Sequence, residues 1–264
     1  MALQSFGEAS LTVLSSAVTK QGVAVAEDGL VIQSLATKRL VGSAKYGLIF
    51  CHGYTDQWDS PLNDGTMGPT ISEIIHSGPW IVYSINAGGD SWGNDTAVSR
   101  VASGVNVLRS HYGVPSESVY GLGVSMGNLS ILNGWKADTT LFRRSVGLLP
   151  IVSLDSIHSG NVQGAAAAIN TAYGGTWVNA TQRADHDPAF YVTASHPFGE
   201  TGDWLGFGSG ADEWQPGSIW SDFAASNQHL NFRQITPTGS HSWDQISLVP
   251  TGQITSFLLN GTLP

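Results

Sequence analysis

Apolar positions along this chain fall into two alternating arrangements. Unbroken runs at Tyr46–Cys51 (YGLIFC), Trp80–Ile85 (WIVYSI), Ser118–Val124 (SVYGLGV) and Val146–Val152 (VGLLPIV) suit strands buried on both faces. Between them, Ile71–His76, Met126–Trp135 and Thr96–Tyr112 have helical spacing, the last through Val98, Val101, Val105 and Leu108. Regular strand–helix alternation predicts an α/β fold with a mostly parallel sheet and helices on both faces. Ahead of it, Leu11–Val18 and Leu30–Ser34 read as a hairpin or edge pair. After Asp155 the pattern loosens: Asn161–Tyr173 looks helical and Gly174–Gly202 loop-rich. Order resumes with a strand at Trp204–Ser209, a helix around Ile219–Ser226, a strand at Leu230–Ile235 and a last helix near Thr251–Leu259. No linker composition interrupts the chain, so one domain over 1–264 with an insertion at 155–203 is expected.

Composition narrows the function classes. Hydrophobic residues make up 41% of the 264, ample for a core, while charged residues are only 12%, about half the usual share. A net charge of −9 with 11 Lys and Arg excludes a partner that needs a basic face, so no nucleic acid is expected. No run approaches the length of a membrane span. The single Cys51 excludes a disulfide framework or a thiolate metal cluster, and reads as a small buried hydrophobe. The N-terminus has no basic region before an apolar stretch, so a soluble chain without a signal peptide is expected. The composition suits a secreted protein or a virion component and is equally compatible with the cytosol. Four N-x-[ST] matches, at Asn94, Asn128, Asn179 and Asn260, are read as chance.

The strongest local signal is Gly123-Val124-Ser125-Met126-Gly127, a G-x-S-x-G between a strand-like and a helix-like run. A serine lifted out of a sheet in a sharp turn needs glycines on both sides, because side chains there collide. The helix that follows points its N–H groups at the reacting centre. A dinucleotide loop does not fit, since GLGVSMG has the wrong glycine spacing and no acidic residue follows at the required distance. The second signal is Cys51-His52-Gly53-Tyr54. Acyl transfer needs a second N–H donor opposite the one after the nucleophile, and a strand ending in His-Gly supplies it. The backbone amides of Tyr54 and Met126 are the expected oxyanion donors. His52 itself is read as a structural loop residue.

YGLIFCHGYTD, WIVYSINAGGDSWGN and VYGLGVSMGN together resemble the α/β-hydrolase superfamily in order and spacing. The resemblance spans roughly residues 44–260 and implies a mainly parallel sheet of about eight strands, with 155–203 as a short lid. The turn after the fourth strand, Asn86-Ala87-Gly88-Gly89-Asp90-Ser91, lacks the aspartate and arginine common in microbial lipases. The family's order of serine, acid and histidine implies Asp212, in WLGFGSGADEWQP, as the acid and His241, in TPTGSHSW, as the base; they stand 87 and 116 residues after Ser125. The implied activity is a serine esterase working through an acyl-enzyme on a small-molecule, lipid or polymer ester, with no cofactor and no catalytic metal.

Competing readings attach to several residues. Asp203 is the rival acid, ranked second because no buried strand directly precedes it; its choice would move the acid strand to Phe190–Ser195. Asp185-His186-Asp187 has a metal-like look but reads as a turn or cap before Pro188. His76, His111, His158, His196 and His229 show no ligand spacing. Trp58, Trp92, Trp214 and Trp243 all follow strand ends near the expected site, where rim packing and an aromatic acyl cleft are equally good readings. The functional alternative is a hydrolase-like binding or structural domain of a virion or cell surface that has lost catalysis.

Overall fold

The alternating runs become a sheet whose strands we number β1 (Ala9–Leu14), β2 (Gly29–Ser34), β3 (Tyr46–Cys51), β4 (Trp80–Ile85), β5 (Val119–Val124), β6 (Arg144–Leu148), β7 (Asp203–Gly208) and β8 (Leu230–Gln234). The computed structural model describes residues 46–58, 60, 64–177, 179–192 and 203–263, with strand residues 9–14, 19–20, 23–24 and 29–34 of the N-terminal segment. Spatial order is β1-β2-β4-β3-β5-β6-β7-β8. The sheet has eight strands, of which the six from β4 to β8 in space are parallel. β1 and β2 join at the β4 edge as an antiparallel pair, Leu14 opposite Gly29, the early edge pair of the sequence pattern.

Strand alternation explains the two-sided core. In β3, Ile49 and Cys51 face one apolar layer with α2 (Asp95–Tyr112) and α3 (Gly127–Ala137). Leu48 and Phe50 face the other, with α1 (Gly68–Ser77) and α10 (Thr251–Asn260). Both faces being covered is why these runs are continuously apolar. The α2 boundaries are chemical: the Asn94 side chain accepts the Ala97 N–H, and Gly113 closes the helix with a left-handed φ of 64°. β4 and β5 lie on opposite sides of β3, so the order reverses there, and a crevice forms at the carboxyl ends of β3 and β5.

Between β6 and β7 the chain is more helical than its sequence suggests: α4 (Leu154–Gly160), α5 (Ala165–Ala172), α6 (Asn179–His186) and α7 (Pro188–Tyr191). The last two fall where a loop was expected. Phe190 and Tyr191 are helical, so the alternative acid strand does not begin there, and 193–195 lie outside the described residues. Leu154, Ile157, Ala165, Ile169 and Trp177 of this segment pack on Trp92, Met126, Ile151 and Trp214 at the strand ends. After β7 come α8 (Gly217–Ala225), β8 and the short α9 (Trp243–Ile246). Among the described residues no helix is long and apolar enough to cross a membrane.

Candidate active site

The turn after β5 carries Ser125 with φ 48°, a left-handed backbone that a serine adopts only under constraint. The constraint is visible. Ser125 N–H donates to Leu148 O (2.9 Å), and its carbonyl accepts from Asn128 N–H (3.1 Å) and Ile151 N–H (3.2 Å). A Cβ on Gly123 would lie 2.6 Å from the Asn128 Cα, and one on Gly127 would lie 2.2 Å from the Cys51 carbonyl oxygen. Both glycines of the motif are there because backbone fills the space. Asn128 is wholly buried, its amide spanning Ile151 O (3.0 Å) and the Trp204 indole N–H (3.0 Å), so no glycan fits it.

Ser125 Oγ lies 2.7 Å from His241 Nε2, and His241 Nδ1 lies 2.6 Å from Asp212 Oδ2. Asp212 follows β7 at the carboxyl end of the sheet, and its other oxygen accepts the backbone N–H groups of Trp214 and Gln215, both at 2.8 Å. With Nδ1–H donated to the carboxylate, Nε2 presents its lone pair to the serine hydroxyl. The ring is flanked by Trp214 (centroids 5.7 Å apart) and Trp243 (6.0 Å), and its side chain and that of Asp212 are buried. Asp203 lies elsewhere. It opens β7, about 17 Å along the strand from Gly208 at the usual rise per residue, and pairs with Arg144 (3.7 Å) and His229 (3.3 Å).

The two amides expected to serve the oxyanion belong to the turns after β3 and β5. Among the described residues neither the Tyr54 nor the Met126 N–H is paired with an acceptor. Tyr54 precedes Thr55, which holds φ 65° and donates its N–H to Asp90 Oδ1 (2.9 Å), tying the loop after β3 to that after β4. His52 Nδ1 bonds Gly53 O (2.8 Å), as a structural loop residue does. Cys51 is buried, and burial pushes its thiol far above the usual range, so no thiolate forms there. Burial, with Asp64 and Asp90 nearby, raises the Asp56 carboxyl to about 6.

Two residues beside the acid escaped the sequence reading. Gln215 is fully buried; its Oε1 accepts the Val152 and Ser153 N–H groups (2.9 and 2.8 Å), and its Nε2 donates to Ser153 O and Trp214 O. It locks the acid loop to the turn after β6. Glu213 accepts the His241 N–H (3.0 Å) and the Gln163 Nε2–H (3.1 Å). A polar DEWQ stretch around the acid was the only available signal. Of the four tryptophans, Trp92 and Trp214 stack (6.2 Å, 19°) and both meet Tyr54, whereas Trp58 packs in the layer with α1.

The Asp185-His186-Asp187 run is a brace. Asp185 pairs with Lys136 (2.8 Å), His186 Nε2 is 3.5 Å from Asp95, and Asp187 accepts the Asp155 N–H (3.0 Å) at the start of α4. Among the described residues no three His, Cys, Asp or Glu side chains converge as a metal site would require. Asp187 is 1% exposed, and burial, with Asp155 adding repulsion, raises its carboxyl to about 6. The folded value exceeds the unfolded one of ~3.9, so the folded chain holds the extra proton. Stability from this group is full below pH ~4 and is lost as pH rises through 6, at most about 3 kcal/mol. Asp187→Asn should therefore gain melting temperature relative to wild type between pH 4 and 7. An equal gap at both pH values would contradict this.

No protein-family model and no curated relative matches this sequence. Solved structures do match in shape. An S-formylglutathione hydrolase from Agrobacterium tumefaciens superposes with a TM-score of 0.66 at 12% identity, covering 98% of this chain and 95% of its own. The fluorophosphonate-binding serine hydrolase F of Staphylococcus aureus gives 0.62 at 14%, covering 92% and 96%. An esterase from the bacterial hormone-sensitive lipase family gives 0.64 at 12%, covering 98% and 86%.

Proposed function

The chain has the α/β-hydrolase fold, and we propose that within it Ser125, His241 and Asp212 form the triad of a serine hydrolase that cleaves a carboxylic ester. The observation that carries this reading is the unbroken hydrogen-bonded line from Asp212 through His241 to Ser125. Fold alone would not carry it, since one fold serves many activities. Serine is a weak nucleophile near neutral pH, and imidazole is the side chain suited to take its proton there. As Oγ attacks the ester carbonyl, its proton passes to Nε2, and the Asp212 carboxylate stabilises the imidazolium. The oxygen of the tetrahedral intermediate takes N–H bonds from Tyr54 and Met126, neither of which has an acceptor among the described residues. The leaving alcohol carries away the Nε2 proton, and water repeats the sequence on the acyl-enzyme.

In this reading the chain is one domain and the helical segment α4–α7 is its lid. That segment closes over Trp92, Trp214 and Tyr54, an aromatic wall suited to an apolar acyl group. The substrate class is a small-molecule, lipid or polymer ester. The test is labelling with a fluorophosphonate probe and mapping of the adduct, followed by a panel of p-nitrophenyl esters of graded acyl length. A single adduct on Ser125 and turnover of short acyl chains are expected. No adduct would favour the catalytically silent binding domain.

A further inference from the structure

Among the described residues, six non-glycine positions hold a left-handed backbone. Thr55, Trp92, Ser125 and Leu149 follow β3, β4, β5 and β6 and ring the crevice. The other two, Asn161 (φ 44°) and Gln163 (φ 47°), lie together between α4 and α5, next to Gly164 at φ 80°. Left-handed backbone at a non-glycine residue costs about 1–3 kcal/mol and persists only where neighbours impose it. Within the turn, the Asn161 side chain accepts from Ala166 N–H (3.3 Å). The link out of the turn is the Gln163 amide, which donates to Glu213 Oε1 at 3.1 Å. The other oxygen of Glu213 accepts the backbone N–H of His241 at 3.0 Å. Consecutive carboxylates thus hold the histidine at two points, Asp212 by the ring and Glu213 by the main chain.

We infer that Glu213 is a positioning residue for His241, and that through the same carboxylate the α4–α5 turn is coupled to the base. This rests on the triad reading above for its effect on turnover, but not for the hold itself. Asp212 holds the ring, but where the ring sits also depends on the main chain that carries it, and small displacements of a reacting group are costly. The bond from Glu213 fixes that main chain at His241. Because Gln163 shares the carboxylate, ordering of the turn and ordering of the base reinforce each other.

Hydrogen bonding, not charge, is the operative property, so Glu213→Gln keeps the hold. The glutamine carbonyl accepts from His241 N–H, and Gln163 turns its own amide to accept from the new NH₂. Glu213→Ala removes both bonds, and Gln163→Ala removes one.

The experiment measures amide hydrogen exchange over 161–165 and 239–242 in the full chain, beside kcat and KM. Glu213→Ala is expected to speed exchange in both segments and to lower kcat about tenfold, at little change in KM or melting temperature. Gln163→Ala should speed exchange in 161–165 strongly and in 239–242 to a smaller degree, with kcat lowered about twofold; wild-type exchange over 239–242 in this variant overturns the coupling of the turn to the base. Glu213→Gln should restore protection in both segments and most of kcat. Wild-type exchange over 239–242 in Glu213→Ala overturns the proposal, as does a Glu213→Gln variant that behaves like Glu213→Ala. If the wild-type chain turns over no ester, the triad reading fails, and the exchange measurements still decide the hold.

Discussion

Asp212→Asn is expected to lower kcat on a short-chain p-nitrophenyl ester about 10⁴-fold, the size of the loss in the serine-protease case. Ser125→Ala should reduce turnover to background. The reason for the asparagine effect lies in the contacts of the acid. One Asp212 oxygen accepts two backbone N–H groups and the other accepts His241 Nδ1–H. Asparagine has one oxygen, and the two main-chain donors will claim it. Its NH₂ then faces Nδ1, which must become the acceptor, and Nε2 turns up protonated toward Ser125. A serine facing an N–H has no base. Asp203→Asn, at the other end of β7, should leave kcat within a few-fold, because it disturbs only the contacts to Arg144 and His229. Both variants are compared at equal folded concentration, checked by thermal melts. A crippled Asp203→Asn beside a near-normal Asp212→Asn would move the acid and leave the serine and histidine in place.

Gly127→Ala should be more damaging than its single methyl suggests. The added carbon would sit 2.2 Å from Cys51 O and 2.5 Å from His52 O, both main-chain atoms at the end of β3. Neither yields as a flexible side chain would, since Cys51 is paired in the ladder with both Ile85 and Gly123. Relief requires pushing β3 from the elbow, which also displaces the Tyr54 loop relative to Ser125. The expected cost is about 4 kcal/mol, the upper range for single substitutions, and a fall in melting temperature of about 10 °C. Loss of kcat should exceed 10³-fold, as misplacement compounds the loss of oxyanion donors. Gly252→Ala is the matched control. Nothing lies within 4 Å of its added carbon, and the residue sits in α10, so stability should hold or rise by up to about 1 kcal/mol. Similar melts for the two variants would show that the contact at Gly127 relaxes freely.

Much of this arrangement was legible because its physics is local. β3, β4 and β5 are six-residue runs buried on both faces, and β7 shares that burial after its first residue. Ser125 stood out because the elbow demands glycines at fixed offsets, and Asp212 and His241 because the hydrolase resemblance implies an acid and a histidine after later strands; the structure sets the three in one hydrogen-bonded line. VGLLPIV misled by two effects: β6 ends at Leu148, since Leu149 turns left-handed at φ 45° and Pro150 follows it. α6 (NATQRADH) has no apolar stripe to betray a helix, so it read as loop. Glu213 and Gln215 were illegible for a different reason. Their partners, Gln163 and Val152–Ser153, lie 50 to 63 residues earlier, and such clamps leave no periodic trace.

The division of the site along the chain has a consequence for synthesis. Strand β5 and its elbow leave the ribosome early, whereas His241 follows 116 residues later. At about 5–20 residues per second, that interval is on the order of ten seconds. Asp212 emerges 87 residues after Ser125 and His241 last, so on the proposed triad a nascent chain carries a hydroxyl with no proton acceptor until the interval ends. A product truncated anywhere before β8 stays inert for the same reason. On the proposed triad, activity would report that β8 has docked, and chemistry would begin only once the loop carrying His241 has been made.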